Sequence, residues 1–169
     1  MNHTVVLDTN ALICLFKGES EEVKRAVMGA ARIVIPLAVC AEFKAGVEGD
    51  SSGRSREVAL FRDFLSVPNT FVHRPTELTA EYYAKIFCYL KKAGTPIPTN
   101  DIWIAAETME IGGRLCSCDR HFANVQCSTG LFATISDART PAVLAGTEGV
   151  YQLMCQVRQM AFIPFHFLI

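Results

Sequence analysis

Apolar residues along this chain fall into two alternating patterns. Short unbroken apolar runs alternate with longer segments in which apolar residues recur every three or four positions. The first pattern predicts strands buried on both faces, and the second predicts helices packed along one stripe. Val5-Val6-Leu7 is the first run, and Asp8-Thr9-Asn10 follows it. Ala11 to Phe16 then predicts a helix, closed by Lys17-Gly18. Ser20 suits the N-cap of a second helix, with Glu21 and Glu22 in its first turn and Val23, Ala26, Val27 and Ala30 on its apolar side. Arg32 to Ile35 is a second strand, ended by Pro36. Leu37 to Gly46 reads as a helix that Gly46 terminates, and residues 48–53 read as a loop by composition. Arg54 to Leu65 is a helix with Val58, Leu60, Phe61, Phe64 and Leu65 inside, and Thr70 to His73 is a third strand. Thr76 to Ala93 is the longest helical pattern, with Leu78, Tyr82, Ile86 and Leu90 at four-residue spacing; Gly94, Pro96 and Pro98 stop it. Thr99 then caps a nearly all-apolar helix that Gly112-Gly113 ends. Arg114 to Cys118 is strand-like and leads into Asp119, and Leu131 to Ile135 is a last strand.

Strands that alternate with helices predict an α/β domain around a mostly parallel sheet. In such sheets ligands bind in the crevice beyond the carboxyl ends of the strands. Asp8 and Asp119 both follow an apolar strand and open a turn. Asp101 lies in the first turn of a helix apolar enough to be buried, and Glu42 lies in a mostly apolar helix. Each has a bland explanation when taken singly: a helix N-cap for Asp8 and Asp119, the helix dipole for Asp101, an exposed face for Glu42. Taken together they predict a different chemistry. Carboxylates packed in one crevice repel one another unless a cation lies between them, and oxygen ligands suit Mg²⁺ or Mn²⁺. Such a site supports metal-assisted hydrolysis of a phosphodiester by an activated water. The chain has 17 acidic residues, so spacing alone does not single out these four.

The motifs around them are more specific. Leu7-Asp8-Thr9-Asn10-Ala11-Leu12-Ile13, Ala41-Glu42-Phe43, Asn100-Asp101-Ile102-Trp103-Ile104-Ala105-Ala106 and Asp119-Arg120-His121-Phe122 occur in this order. They resemble the PIN domain, and within it the VapC-type ribonuclease toxins, over roughly residues 3 to 135. The resemblance implies a three-layer fold with a central sheet flanked by helices, and endonucleolytic cleavage of RNA. It implies catalytic roles for Asp8, Glu42, Asp101 and Asp119, with Asp8, Asp101 and Asp119 as ligands of Mg²⁺ or Mn²⁺. Asn10, Thr9 and Ser117 become supporting residues; Ser117 keeps a hydroxyl where the family commonly has Thr, and Cys118 stands where a basic residue is frequent. A small antitoxin encoded beside the toxin and a homodimer are implied in the same way. The nuclease domain is placed at residues 1–136. Residues 137–169 form an apolar extension past the family's usual end, read as a dimer element, a cover for the sheet edge or a binding site for another protein.

Composition narrows the alternatives. The chain has 169 residues and a formal net charge of −1, which fits one domain and announces no basic field. It opens on a strand pattern rather than a signal peptide, and its 7 Cys are scattered through helical and strand patterns. Reduced thiols, a cytoplasmic location and no membrane span are expected. Cys116, Cys118, His121 and Cys127 invite a zinc reading, but a usual second pair of ligands is missing, so buried thiols are preferred. Trp103 reads as core, and Arg54, Arg56, Arg62, Lys85, Lys91 and Lys92 as a solvated face. A receiver-like signalling domain also gathers acids at strand ends. It needs paired acids after its first strand and a Lys after its last, and neither stands here. A PIN fold serving housekeeping RNA maturation, or binding RNA or protein without cutting, stays open beside the toxin.

Overall fold

The computed structural model describes residues 4–49, 54–119, 121–122 and 125. Within them four strands form one parallel sheet: β1 (Thr4–Leu7), β2 (Arg32–Pro36), β3 (Thr70–His73) and β4 (Arg114–Cys116), in the order β3-β2-β1-β4. Helices α1 (Thr9–Lys17) and α2 (Glu21–Met28) join β1 to β2, and α3 (Leu37–Gly49) and α4 (Arg54–Leu65) join β2 to β3. Helices α5 (Glu77–Ala93) and α6 (Thr99–Ile111) then carry the chain back across to β4. This is the expected α/β fold with helices flanking a parallel sheet. The expected strand at 131–135, the boundary at 136 and the apolar extension 137–169 lie outside the described residues.

The central strands show why the sheet is covered on both faces. Val5, Val6 and Leu7 of β1 and Ile33, Val34 and Ile35 of β2 are all buried, whichever face they point to. Strands with such unbroken apolar runs are stable only between two helical layers. Strand β3 is an edge: Phe71 and Val72 are exposed, and the Arg32 guanidinium covers the Phe71 ring at 4.8 Å from its centroid. On one side of the core, Phe16 of α1 meets Phe43 of α3 and Phe64 of α4 edge-on, with centroids 5.7 and 5.6 Å apart. Gly113 lets β4 come close to β1, because a Cβ there would lie 2.8 Å from the buried Val6 Cγ2.

Several elements differ from the pattern. Helix α3 does not stop at Gly46 but runs to Gly49, because Val39, Phe43 and Val47 continue one buried stripe through it. Glu48 and Gly49 therefore belong to a helix rather than a loop. Val58 and Leu78 sit on helices but face solvent, at 50% and 44% exposure, whereas Leu60, Phe61, Phe64, Ile86 and Leu90 are buried as expected. Thr99 is inside α6 rather than its cap; Pro98 holds the cap position and no side chain satisfies the first amides. Strand β4 ends at Cys116, so Ser117 and Cys118 already belong to the turn.

Helix α6 also carries a buried acid that the apolar pattern does not announce. Glu107 is fully buried, and among the described residues neither of its oxygens has a hydrogen-bond partner of good geometry. Burial pushes its pKa up to about 7, the Leu37 backbone offsetting this only in part and the charge of Glu110 adding to it. Glu110, one turn on, fares differently. Burial opposes its charge, but donors on Thr79, Thr76 and His73 together draw it below its usual value. Those contacts, 2.7 Å from Thr76 and 3.3 Å from His73, tie the end of α6 to the end of β3 and the start of α5.

Glu107 makes stability pH-dependent. Between about pH 4.5 and 7 the folded chain keeps a proton on Glu107 that the unfolded chain has lost, so this group lowers stability as pH rises through that window. Glu107→Gln should therefore be more stable than the parent near pH 8, by on the order of 3 kcal/mol, and close to it near pH 4. Urea denaturation of both proteins at the two pH values checks this.

Candidate active site

The strand order reverses beside β1, which pairs with β2 on one side and β4 on the other. A crevice opens at such a reversal, beyond the strand ends. Asp8 leaves β1 and Asp119 follows β4, so both stand at its mouth. The backbone N–H of Asp8 bonds the carbonyl of Cys116 at 3.2 Å, carrying the ladder one residue past β1.

Asp8 is buried and has both oxygens engaged. Its Oδ1 accepts from the Ala11 backbone N–H at 2.6 Å, which caps α1, and its Oδ2 accepts from the Ser117 hydroxyl. The capping role and a place in the crevice are thus held by one side chain. Ser117 is fully buried, and its oxygen also accepts from the Asp119 backbone N–H at 2.9 Å. The Asp119 carboxylate accepts from the His121 backbone N–H at 2.9 Å and from Asn10 Nδ2 at 3.4 Å. Phe122, fully buried just beyond, anchors this turn in the core. His121 Nδ1 lies 3.2 Å from Asp101 Oδ2 and 3.3 Å from Asp119 Oδ1, so the imidazole bridges α6 and the β4 turn. Glu42 looks on from α3, where it accepts from the Thr9 hydroxyl and from Asn100 Nδ2 at 2.6 Å.

All the residues expected from the sequence therefore meet around one corner: Asp8, Thr9, Asn10, Glu42, Asp101, Ser117 and Asp119. Asn100 and His121 join them. In the sequence Asn100 carries no assigned part, and His121 is weighed only as a zinc ligand beside the cysteines; their signal is position, Asn100 beside Asp101 at a helix start and His121 two residues after Asp119.

The electrostatics of the corner follow from packing acids out of water. Burial pushes Asp8 up to about 6 against the hydrogen bonds from Ser117 and Ala11, and the charges of Asp119 and Asp101 push the same way. Asp101 is raised too, first by burial, with His121 opposing and Asp119 and Glu42 adding. A divalent cation would relieve each of these repulsions. The donors suit one: single ligand atoms from Asp101, Asp119 and His121 all lie within 4.8 Å of one another, with Asp8 beside them. Carboxylate oxygens with at most one imidazole fit Mg²⁺ or Mn²⁺ better than a thiolate metal.

The cysteines form a separate group. Cys116 is buried, and the Cys118 sulfur lies 3.9 Å from that of Cys14 on α1. Burial holds the Cys116 and Cys118 thiols up at about 12, the neighbouring thiols and Asp8 adding to it. Because β4 ends before Cys118, the two cysteines do not share a strand face. His121 turns to the acids, so these described residues build no zinc site; Cys127 lies outside them. Trp103 is half-buried against Tyr83, centroids 4.5 Å apart, where α5 meets α6.

A PIN domain family model matches residues 5–126. Among solved structures, the chain is similar to VapBC2 from Rickettsia felis bound to a DNA fragment from their promoter, with a TM-score of 0.66 and 18% identity over 78% of this chain and 98% of that one. It is similar to VapBC-1 from nontypeable Haemophilus influenzae, with a TM-score of 0.64 and 25% identity over 72% of this chain and 92% of that one. VapBC-5 from Mycobacterium tuberculosis gives 0.60 and 21%, over 78% and 97%. None of the curated proteins matches the chain.

Cation binding to the corner needs the acids unprotonated, so affinity should rise with pH through about 6, where Asp8 titrates. Mn²⁺ at a hundred times its dissociation constant should stabilise the protein by about 2.7 kcal/mol. In thermal melts the gain at one fixed Mn²⁺ concentration should be larger near pH 7.5 than near pH 5.5, and absent in Asp119→Asn.

Proposed function

The chain belongs to the PIN domain family, whose model matches residues 5–126, and we propose that it is a metal-dependent endoribonuclease, the toxin of a VapBC-type toxin–antitoxin pair. One observation carries this reading: Asp8 at the end of β1 and Asp101 at the start of α6 are both raised above the usual carboxylate range, first by burial, with the charge of Asp119 beyond β4 pushing the same way. Acids brought together at that cost in repulsion fit a divalent cation and a phosphodiester substrate.

Asp8, Asp101 and Asp119 are the residues that would hold Mg²⁺ or Mn²⁺. When bound, the ion supplies Lewis-acid polarisation of the phosphate and a water of lowered pKa. The chain's own residues do the positioning. Ala11 and Ser117 fix both oxygens of Asp8, so its carboxylate cannot swing away. Ser117 and the His121 backbone set the Asp119 turn, and Asn10 steadies its carboxylate from α1. The His121 ring keeps Asp101 and Asp119 facing each other across the crevice. Glu42, with one oxygen on Thr9 and the other on Asn100, stands as the fourth acid, oriented to accept a proton from an incoming water. Exposed Lys91 and Lys92 end α5, one short connection before α6 and Asp101, and offer cations for the RNA backbone.

The similar structures named above are of VapBC, one of them bound to a promoter DNA fragment. They support a small antitoxin as partner, and the toxin reading adds a homodimer and a cytoplasmic location. Among the described residues no helix is long and apolar enough to cross a membrane.

Purified protein incubated with structured RNA and Mg²⁺ should cut it internally, and EDTA should stop the reaction. Asp8→Asn and Asp101→Asn should each slow cleavage by on the order of a hundredfold or more, with circular dichroism unchanged. Cleavage that survives either substitution would mean the activity lies elsewhere.

A further inference from the structure

Two thiols face each other beside the acids. Cys14 stands on α1 and Cys118 on the turn after β4, with their sulfurs 3.9 Å apart. Both are half-buried and reduced, whereas Cys40 and Cys116 are buried and Cys88 is exposed on α5. Position sets this pair apart. Cys118 lies between Ser117, whose hydroxyl holds Asp8, and Asp119, whose carboxylate faces Asp101 across His121. Cys14 lies on the helix that Asp8 caps. One bond between them would join two segments that both end in the corner.

We propose that Cys14 and Cys118 form a reversible disulfide that switches the corner off. The effect on the corner rests on the metal-binding reading above; the bond itself does not. The oxidant is a small disulfide such as oxidised glutathione. One cysteine sulfur attacks it, releasing a first reduced glutathione and leaving a mixed disulfide. The second cysteine sulfur displaces the remaining glutathione, so two protein thiols are oxidised and one oxidised glutathione becomes two reduced molecules. Both thiols are protonated at neutral pH, which makes the exchange slow, so the pair is characterised by its equilibrium.

Closing the bond shortens 3.9 Å to about 2 Å. Cys116 is held in register against Leu7, so β4 cannot follow the movement. The displacement falls on residues 117–119, where it pulls Ser117 from Asp8 and turns the Asp119 carboxylate away from Asp101.

The test equilibrates the folded full chain in glutathione buffers of graded ratio, then quenches, alkylates and digests with trypsin. The expected product joins the Met1–Lys17 peptide to Leu115–Arg120, with fragmentation placing the link at Cys118 rather than Cys116, and it disappears on reduction. Calorimetry should show Mn²⁺ affinity about tenfold or more weaker in the oxidised protein, as when groups that orient metal ligands are lost. Reduction should restore it, and Cys14→Ser should bind Mn²⁺ equally under both conditions. Absence of the Cys14–Cys118 link in protein that stays folded overturns the proposal. So does a link that forms while Mn²⁺ affinity stays the same. A chain that binds Mn²⁺ in neither state overturns the metal reading and the switch with it, while the peptide map still decides the bond.

Discussion

The acidic corner depends on one hydroxyl. Ser117 is fully buried, donates to Asp8 and accepts from the backbone of Asp119. Through these two bonds it ties the end of β1 to the turn after β4. Its hydrogen bond opposes the burial that pushes the Asp8 carboxylate toward its neutral form. Its acceptor role satisfies an amide just past the end of β4, where the ladder no longer can. A single small side chain thus sets the charge of one acid and the backbone path of another. A Thr hydroxyl could make the same two contacts.

Much of this was legible in the chain because the strongest patterns belong to the most buried parts. The unbroken runs of β1 and β2 could only be strands covered on both faces, and the turn after each strand could only open at the sheet's carboxyl edge. Asp8 and Asp119 were readable for that reason. The misread positions are those where local signals compete with tertiary packing. Gly46 looks like a stop, but Val47 continues a stripe that only the packed helix reveals. Val58 and Leu78 look like core because they fit a period, yet the helices carrying them turn that flank to solvent. Thr99 looks like a cap, but Pro98 takes the position, with its backbone already extended. The part played by His121 was not legible, because it depends on a distance between α6 and the β4 turn that no spacing encodes.

Two buried carboxylates show how little burial alone reveals. Asp8 and Glu107 are both raised mainly by loss of water. Asp8 has a donor on each oxygen and other acids for neighbours; Glu107, fully buried, has only the partial help of the Leu37 backbone. The first arrangement keeps the charged form within reach and aims it at a crevice. The second simply opposes ionisation inside a helix contact. Partners and direction, not depth, separate the acid that can serve chemistry from the one that burdens the fold.

The bond between Ser117 and Asp8 spans 109 residues of sequence. In any order that grows from the N-terminus, the β1–β4 pair therefore closes only after every helix between them has been made. A chain still emerging during synthesis carries Asp8 and Glu42 but has nothing to set against them. Whatever the corner does, it cannot begin until the chain has been made as far as Asp119, so the topology itself keeps a shorter growing chain inert.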